Sequence, residues 1–188
     1  MKNLIKEAKD QIDKINNNED AYIRLARKSL EEYILYGRVM DIYNDDIPKE
    51  MVENQAGVFV IIKQYGQLRG CLGTTEPIRK NIAEEIAYNA IGAGTRDPRF
   101  FPVKKEELDS LEYFVDVIKE PEPVQSIDQL DVKKYGIIVS CNSKTGILLP
   151  DLEGINTPKE QVSIALQKAG IREAEPYNMK RFEVIRHQ

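Results

Sequence analysis

The chain of 188 residues is poor in the side chains from which most active sites are built: it has one histidine, two cysteines and no tryptophan. The histidine, His187, is the penultimate residue, where chain ends are ordinarily mobile, so it is badly placed for a fixed base or ligand. Zinc takes four Cys or His ligands in structural sites and three protein ligands in catalytic ones. Cys71, Cys141 and a terminal His do not supply them, so no metal site and no cofactor are expected. A Ser-His-Asp or Cys-His triad is excluded for want of an internal imidazole. No apolar run approaches the ~18–20 residues that cross a bilayer, and the charged, amphipathic start of the chain is not a secretory signal. The formal net charge is −4, with acids and bases interspersed. There is therefore no basic stripe for nucleic acid and no polybasic face for a membrane surface. These absences point to a cytosolic protein with free thiols.

What is present is ordinary globular composition, 41% hydrophobic and 31% charged, in a chain long enough to bury roughly 70% of its unfolded surface without a staple. Leu4, Ile5, Ala8, Ile12 and Ile15 give residues 1–20 the pattern of a helical extension, ended by Asn16-Asn17-Asn18. Tyr22, Leu25, Ala26, Ser29, Leu30, Tyr33 and Ile34 then recur at helical steps between Asp20 and Gly37, which are start and stop signals. Gly57–Ile62 and Gln67–Leu72 read as a hairpin about Tyr65-Gly66. Thr74 and Thr75 are expected to cap a helix with Pro77 in its first turn, running to about Ala93. On this reading Ile78, Ile82, Ile86 and Ala90 face the sheet, and Arg79, Lys80, Glu84 and Glu85 face water. Leu111–Lys119 is a strand ended by Pro121-Glu122-Pro123, and Ser126 with Gln129 forms a capping box. Gly136–Cys141 and Gly146–Pro150 form a second hairpin. Thr157-Pro158-Lys159-Glu160 opens a helix closed by Gly170, and Arg181–Arg186 alternates as a last strand. Helices and antiparallel hairpins in no βαβ order define an α+β fold.

Three segments hold chemistry-bearing residues. In Leu68-Arg69-Gly70-Cys71-Leu72-Gly73-Thr74, glycines flank a thiol where a strand is expected to give way to a helix. Free amides and the positive helix end would favour an anion there and lower a thiol pKa, and Arg69 offers a fork of donors for carboxylate or phosphate. The plain alternative is Cys71 as a small core residue between glycines that permit a bulge. In Thr95–Pro102, Arg96, Asp97 and Arg99 lie among aromatics and prolines, forming either a self-braced turn or the rim of a pocket. Asp151, Glu153 and Asn156 lack the alternating acids of a calcium loop and read as an acidic turn.

At these places the chain resembles the AMMECR-domain family, in the bacterial branch called AmmeMemoRadiSam system protein A. The matching stretches are Leu68–Thr74, Asp97–Val103 with Glu106–Leu108, Tyr135–Ser140 and Gly146–Ile171, and Ala26–Ile34 is similar to the family's opening helix. The resemblance covers residues 21–188 as one AMMECR domain and leaves residues 1–20 as an extension. It implies an α+β fold with a larger and a smaller lobe, antiparallel hairpins packed with helices, and a cleft between the lobes. It implies ligand-binding roles for Arg69, Gly70, Gly73, Thr74, Asp97 and Arg99, with Cys71 as the candidate catalytic residue. Tyr135 stands where the family often has His or Asp, which removes an acid–base role there. The branch name implies a Memo-like protein, related to extradiol dioxygenases, and a radical SAM enzyme as partners.

Three functions follow as expectations. The first is an accessory protein that binds a small anionic ligand and presents it to a partner enzyme. The second is an enzyme using Cys71 as nucleophile or redox thiol, activated without an imidazole base. The third is a protein-interaction module that docks through its N-terminal extension.

Overall fold

A computed structural model describes residues 19–44 and 46–188. The N-terminal extension of residues 1–18, and the docking role considered for it, lie outside the described residues. The chain divides into two compact units, one reaching to Val117 and including Arg186–Gln188, the other Ile118–Ile185.

In the first unit, helix α1 (Ala21–Tyr36) begins where Asp20 accepts the amides of Tyr22 and Ile23, and ends at Gly37 with φ 69°. Its inner face of Ile23, Leu25, Ala26 and Leu30 enters a core with Val58, Val60, Ile62, Ile86, Ala90 and Val115. After the short helix α2 (Lys49–Glu53), strands β1 (Val58–Gln64) and β2 (Gln67–Gly73) form the expected hairpin. Tyr65 and Gly66 both have positive φ, 51° and 75°, as a type I′ turn requires. Helix α3 (Ile82–Thr95) and strand β3 (Leu111–Ile118) follow. The sheet order is β2-β1-β3-β8, where β8 is Val184–His187; β2 is therefore an edge strand.

Three expectations fail in this unit. Helix α3 does not start at Thr74 or Thr75: it starts at Ile82, capped by Asn81, whose side chain accepts the Glu84 amide. The cause is Glu85, expected on the wet face and in fact fully buried. Its carboxylate accepts from the Ile78 amide, from the Arg79 amide (2.7 Å), from Thr74 Oγ1 (3.1 Å) and from Asn89 Nδ2 (3.4 Å). Those bonds hold residues 74–79 as a loop and leave Ile78 69% exposed. His187 is also not loose: its Nδ1 lies 2.8 Å from Asp20 Oδ2, and its ring stacks on Tyr22 at 3.7 Å.

The second unit contains β4 (Glu122–Val124), β5 (Gly136–Cys141), β6 (Lys144–Leu148), helix α4 (Pro158–Ala169) and β7 (Asn178–Phe182). The sheet order is β4-β7-β5-β6. Strand β3 ends at Ile118, before Pro121 as expected, and Pro123 lies in the separate β4, an edge strand, where a missing N–H does no harm. The single strand expected at Arg181–Arg186 is divided at Glu183 into β7 and β8. Helix α4 matches its signals: Thr157 and Glu160 form the capping box, and Gly170 closes it with φ 65°. No helix among the described residues is long and apolar enough to cross a membrane.

Candidate functional site

The Leu68–Thr74 motif occupies β2 and the residue that follows it, and its residues face three ways. Ile62 pairs with Gly70 and Lys63 with Leu68, so Arg69 is the extra residue of a β-bulge, a device that re-aims a side chain at a sheet edge. Gly70 faces helix α3: a Cβ there would stand 2.1 Å from the Ala93 carbonyl oxygen, so only glycine lets the helix pack this closely. Gly73 sits against the Phe59 ring and the Val58 carbonyl, where a Cβ would be within 2.5 Å. Thr74 donates its amide to Val58 O (3.0 Å) and its hydroxyl to Glu85. Both glycines and Thr74 therefore build the frame.

Backbone groups alternate in direction along a strand. The Thr74 amide turns inward to β1, and the Cys71 amide turns out from the sheet edge, where Asp97 Oδ2 accepts it at 2.9 Å. The same oxygen accepts from Arg99 Nη2 (2.7 Å), while Oδ1 accepts from Arg99 Nε (2.9 Å) and the Arg99 amide (3.1 Å). The bonds from Arg99 outweigh burial and, with the Cys71 amide, hold the Asp97 carboxyl down at about 2. It is an ionised clamp and not an acid or base at neutral pH. Arg99 is held more firmly protonated, first by Asp97 and further by the nearby Cys71. Its side chain nevertheless remains 55% exposed.

Arg69 is placed differently. Its Nε and Nη2 donate to the two oxygens of Glu107 (2.7 and 3.1 Å), and Nη1 donates to the Phe101 carbonyl (3.0 Å). Only 15% of its side chain is exposed, so the fork expected to receive a ligand carboxylate already holds one from its own chain. Glu107, held below its ordinary range first by Arg69, lies within the Glu106–Leu108 match without having been singled out. Its role was hidden because its partner is 38 residues away.

The helix end nearest the motif is also reversed from expectation. Ala93, in the last turn of α3, meets Gly70. A helix C-terminus carries partial negative charge and does not stabilise a thiolate; any help for Cys71 comes from Arg99. Cys71 is half-buried and Cys141 is buried. Concavities of about 310 Å³ (Val39–Tyr43 with Lys80, Glu84, Ala87 and Tyr88) and about 290 Å³ (Ser140–Asn142 with Glu175–Asn178) contain neither Leu68–Thr74 nor Asp97 and Arg99. In the second unit the Tyr135 ring lies under Arg181 (4.3 Å) and Lys134 (4.9 Å), and Asp151 pairs with Lys133 at 2.8 Å. No group of three or more His, Cys, Asp or Glu among the described residues is placed to hold a metal ion.

Comparison with known proteins shows the family and the fold. A protein of Clostridium acetobutylicum is 46% identical over 188 residues, covering all of this chain and 40% of the relative. The chain thus spans less than half of that protein's length. A Thermotoga maritima protein is 45% identical over 172 residues, covering 90% of this chain and 98% of the relative. The crystal structure of uncharacterized protein PH0010 from Pyrococcus horikoshii superposes with a TM-score of 0.81 at 31% identity, over 88% of each chain; the two share the α+β fold. The AMMECR1 family pattern matches residues 23–187, and the chain belongs to that family.

Proposed function

We propose that this AMMECR1-family chain is a cytosolic accessory protein that binds a small anionic ligand at Arg99, beside Cys71, and presents it to a partner enzyme. The observation that carries this reading is the state of Arg99, gripped by Asp97 through Nε and Nη2 yet more than half exposed. A free arginine loses up to about 2 kcal/mol of rotamer entropy when it is ordered, and Asp97 has already fixed this one. Arg99 is thus the receptor, with Arg69, Gly70, Gly73, Thr74 and Asp97 as its frame. A role alongside other proteins is supported by the Clostridium acetobutylicum relative, in which the matching region is 40% of a longer chain. A Memo-like protein and a radical SAM enzyme, the partners implied by the AmmeMemoRadiSam branch, are the partners we propose.

Calorimetry with inorganic phosphate and acetate tests the reading. Saturable binding that disappears in Arg99→Ala supports it; no heat from either anion, or unchanged binding in Arg99→Ala, overturns it.

A second reading, Cys71 as a nucleophile or redox thiol, is favoured by Asp97 Oδ2, which takes both the Cys71 amide and Arg99 Nη2 and so keeps the cation near Cys71. A cation beside a thiol stabilises the thiolate. The alkylation rate of Cys71 should then reach half-maximum below the pH of an ordinary thiol, about 8.5, and move upward in Arg99→Ala. Identical profiles in the two proteins would remove this reading.

A further inference from the structure

We infer that the ligand of the Arg99 site carries an aromatic ring and that Phe101 is the residue that stacks on it; this rests on the anion-binding reading above. Phe101 is 89% exposed, more than any other large hydrophobic side chain among the described residues. Its backbone is nevertheless firmly held. Phe100 N donates to Asp97 O (3.2 Å), Arg69 Nη1 to Phe101 O (3.0 Å), and Val103 N to Gly94 O (2.8 Å). Pro98 and Pro102 bracket the turn and restrict it further.

The anchors of this loop also place the ring beside the cation. Residue 69 of β2 holds the Phe101 carbonyl. Residue 71 of the same strand holds Asp97, and through it Arg99. Two residues along a strand span about 7 Å. The loop that carries Phe101 and the pinned Arg99 guanidinium are therefore both anchored to one short stretch of strand edge. The Arg99 guanidinium lies 5.5 Å from the Phe100 ring as well, so its surroundings are aromatic on the protein side. An anion seated on Arg99 that bears a flat ring would find in Phe101, two residues along the same braced loop, an exposed ring to stack on. Aryl phosphates and aromatic carboxylates are the chemical class that fits both contacts.

The test compares matched anions on the full chain by calorimetry: inorganic phosphate against phenyl phosphate, and acetate against benzoate. An aromatic contact of this kind is worth about 3- to 10-fold in affinity. The aromatic anion of each pair should bind tighter by that factor, Phe101→Ala should erase the gain while phosphate still binds, and Phe101→Trp should keep it. Phe101→Ala removes an exposed ring and leaves the Arg69 contact to its carbonyl intact, so folding is not at issue. Equal binding within each pair, or a gain that survives Phe101→Ala, overturns the inference and leaves the anion site standing. No binding of any of the four anions overturns the anion site itself, and the inference with it.

Discussion

The two units contain the same local construction put to different uses. Each has a two-residue hairpin, β1–β2 or β5–β6, followed by a helix folded back onto it. In each, one glycine of the edge strand faces a helix carbonyl: Gly70 meets Ala93 and Gly146 meets Ala165, where a Cβ would stand 2.1 and 2.0 Å from the oxygen. In each, a charged side chain covers an outward backbone group of that edge strand. Asp97 takes the Cys71 amide, and Lys168 Nζ donates to Ile147 O at 3.0 Å. Covering an edge in this way also discourages pairing with a foreign strand. The difference lies in what surrounds the cover. Lys168 is an end in itself, whereas Asp97 also pins Arg99, and a bulge turns Arg69 to brace the same loop. The hairpin and helix are thus a shared scaffold, and the first unit adds Arg99 and Arg69 around its cover.

Gly70→Ala and Gly146→Ala test the scaffold most severely. Neither helix can accept a methyl group at that distance, so each should lose about 3 kcal/mol or more in urea unfolding. If one is tolerated, the parallel fails for that unit. Next is the connection from edge strand to helix. Glu85→Gln places an amide donor among the donors that Glu85 now satisfies, and should cost about 2 kcal/mol. Thr157→Ala, which removes only an N-cap at the equivalent point of the second unit, should cost about 1 kcal/mol. Equal costs would mean that the buried carboxylate adds nothing special.

The two edge covers come next. The folded-state pKa of Asp97, about 2, lies below its unfolded value of about 3.9. Its stabilisation is therefore fully present above the unfolded value and is lost as pH falls through the folded one, between about pH 5 and pH 2. Asp97→Asn should be less stable at neutral pH and show a shallower acid limb. Lys168→Ala should change stability by at most about 0.5 kcal/mol. An unchanged acid limb in Asp97→Asn would place the acid sensitivity elsewhere.

The sequence displayed those parts of the structure whose causes are local. Asp20 with Gly37, and Thr157 with Glu160 and Gly170, each act within a turn or two of their own helix, and both helices stand where those residues place them. The start of α3 is not legible in local signals because its cause is a side chain and not a cap. Counting Ile78 into the helix rotated the expected inner face away from Glu85, although Glu85 lies three residues after Ile82 and four before Asn89, both buried. That spacing was the available signal. In the same way, the motif strings held Arg69, Cys71, Asp97, Arg99 and Glu107, but not their pairing. Both guanidinia hold a carboxylate, and which is covered and which stays exposed depends on contacts 26 and 38 residues apart. His187 took its order from Asp20, 167 residues away, so its neighbours in sequence gave no sign of it.

The most direct test of Arg99 as the open receptor uses the two thiols as reporters within one molecule. Alkylation of Cys71 and Cys141 is followed by mass spectrometry with and without saturating inorganic phosphate. Cys71, half-buried beside Arg99, should react faster than buried Cys141. Phosphate should change the rate at Cys71 alone, and Arg99→Ala should abolish that change. Phosphate without effect on Cys71, or with the same effect on both thiols, would contradict an anion site at Arg99.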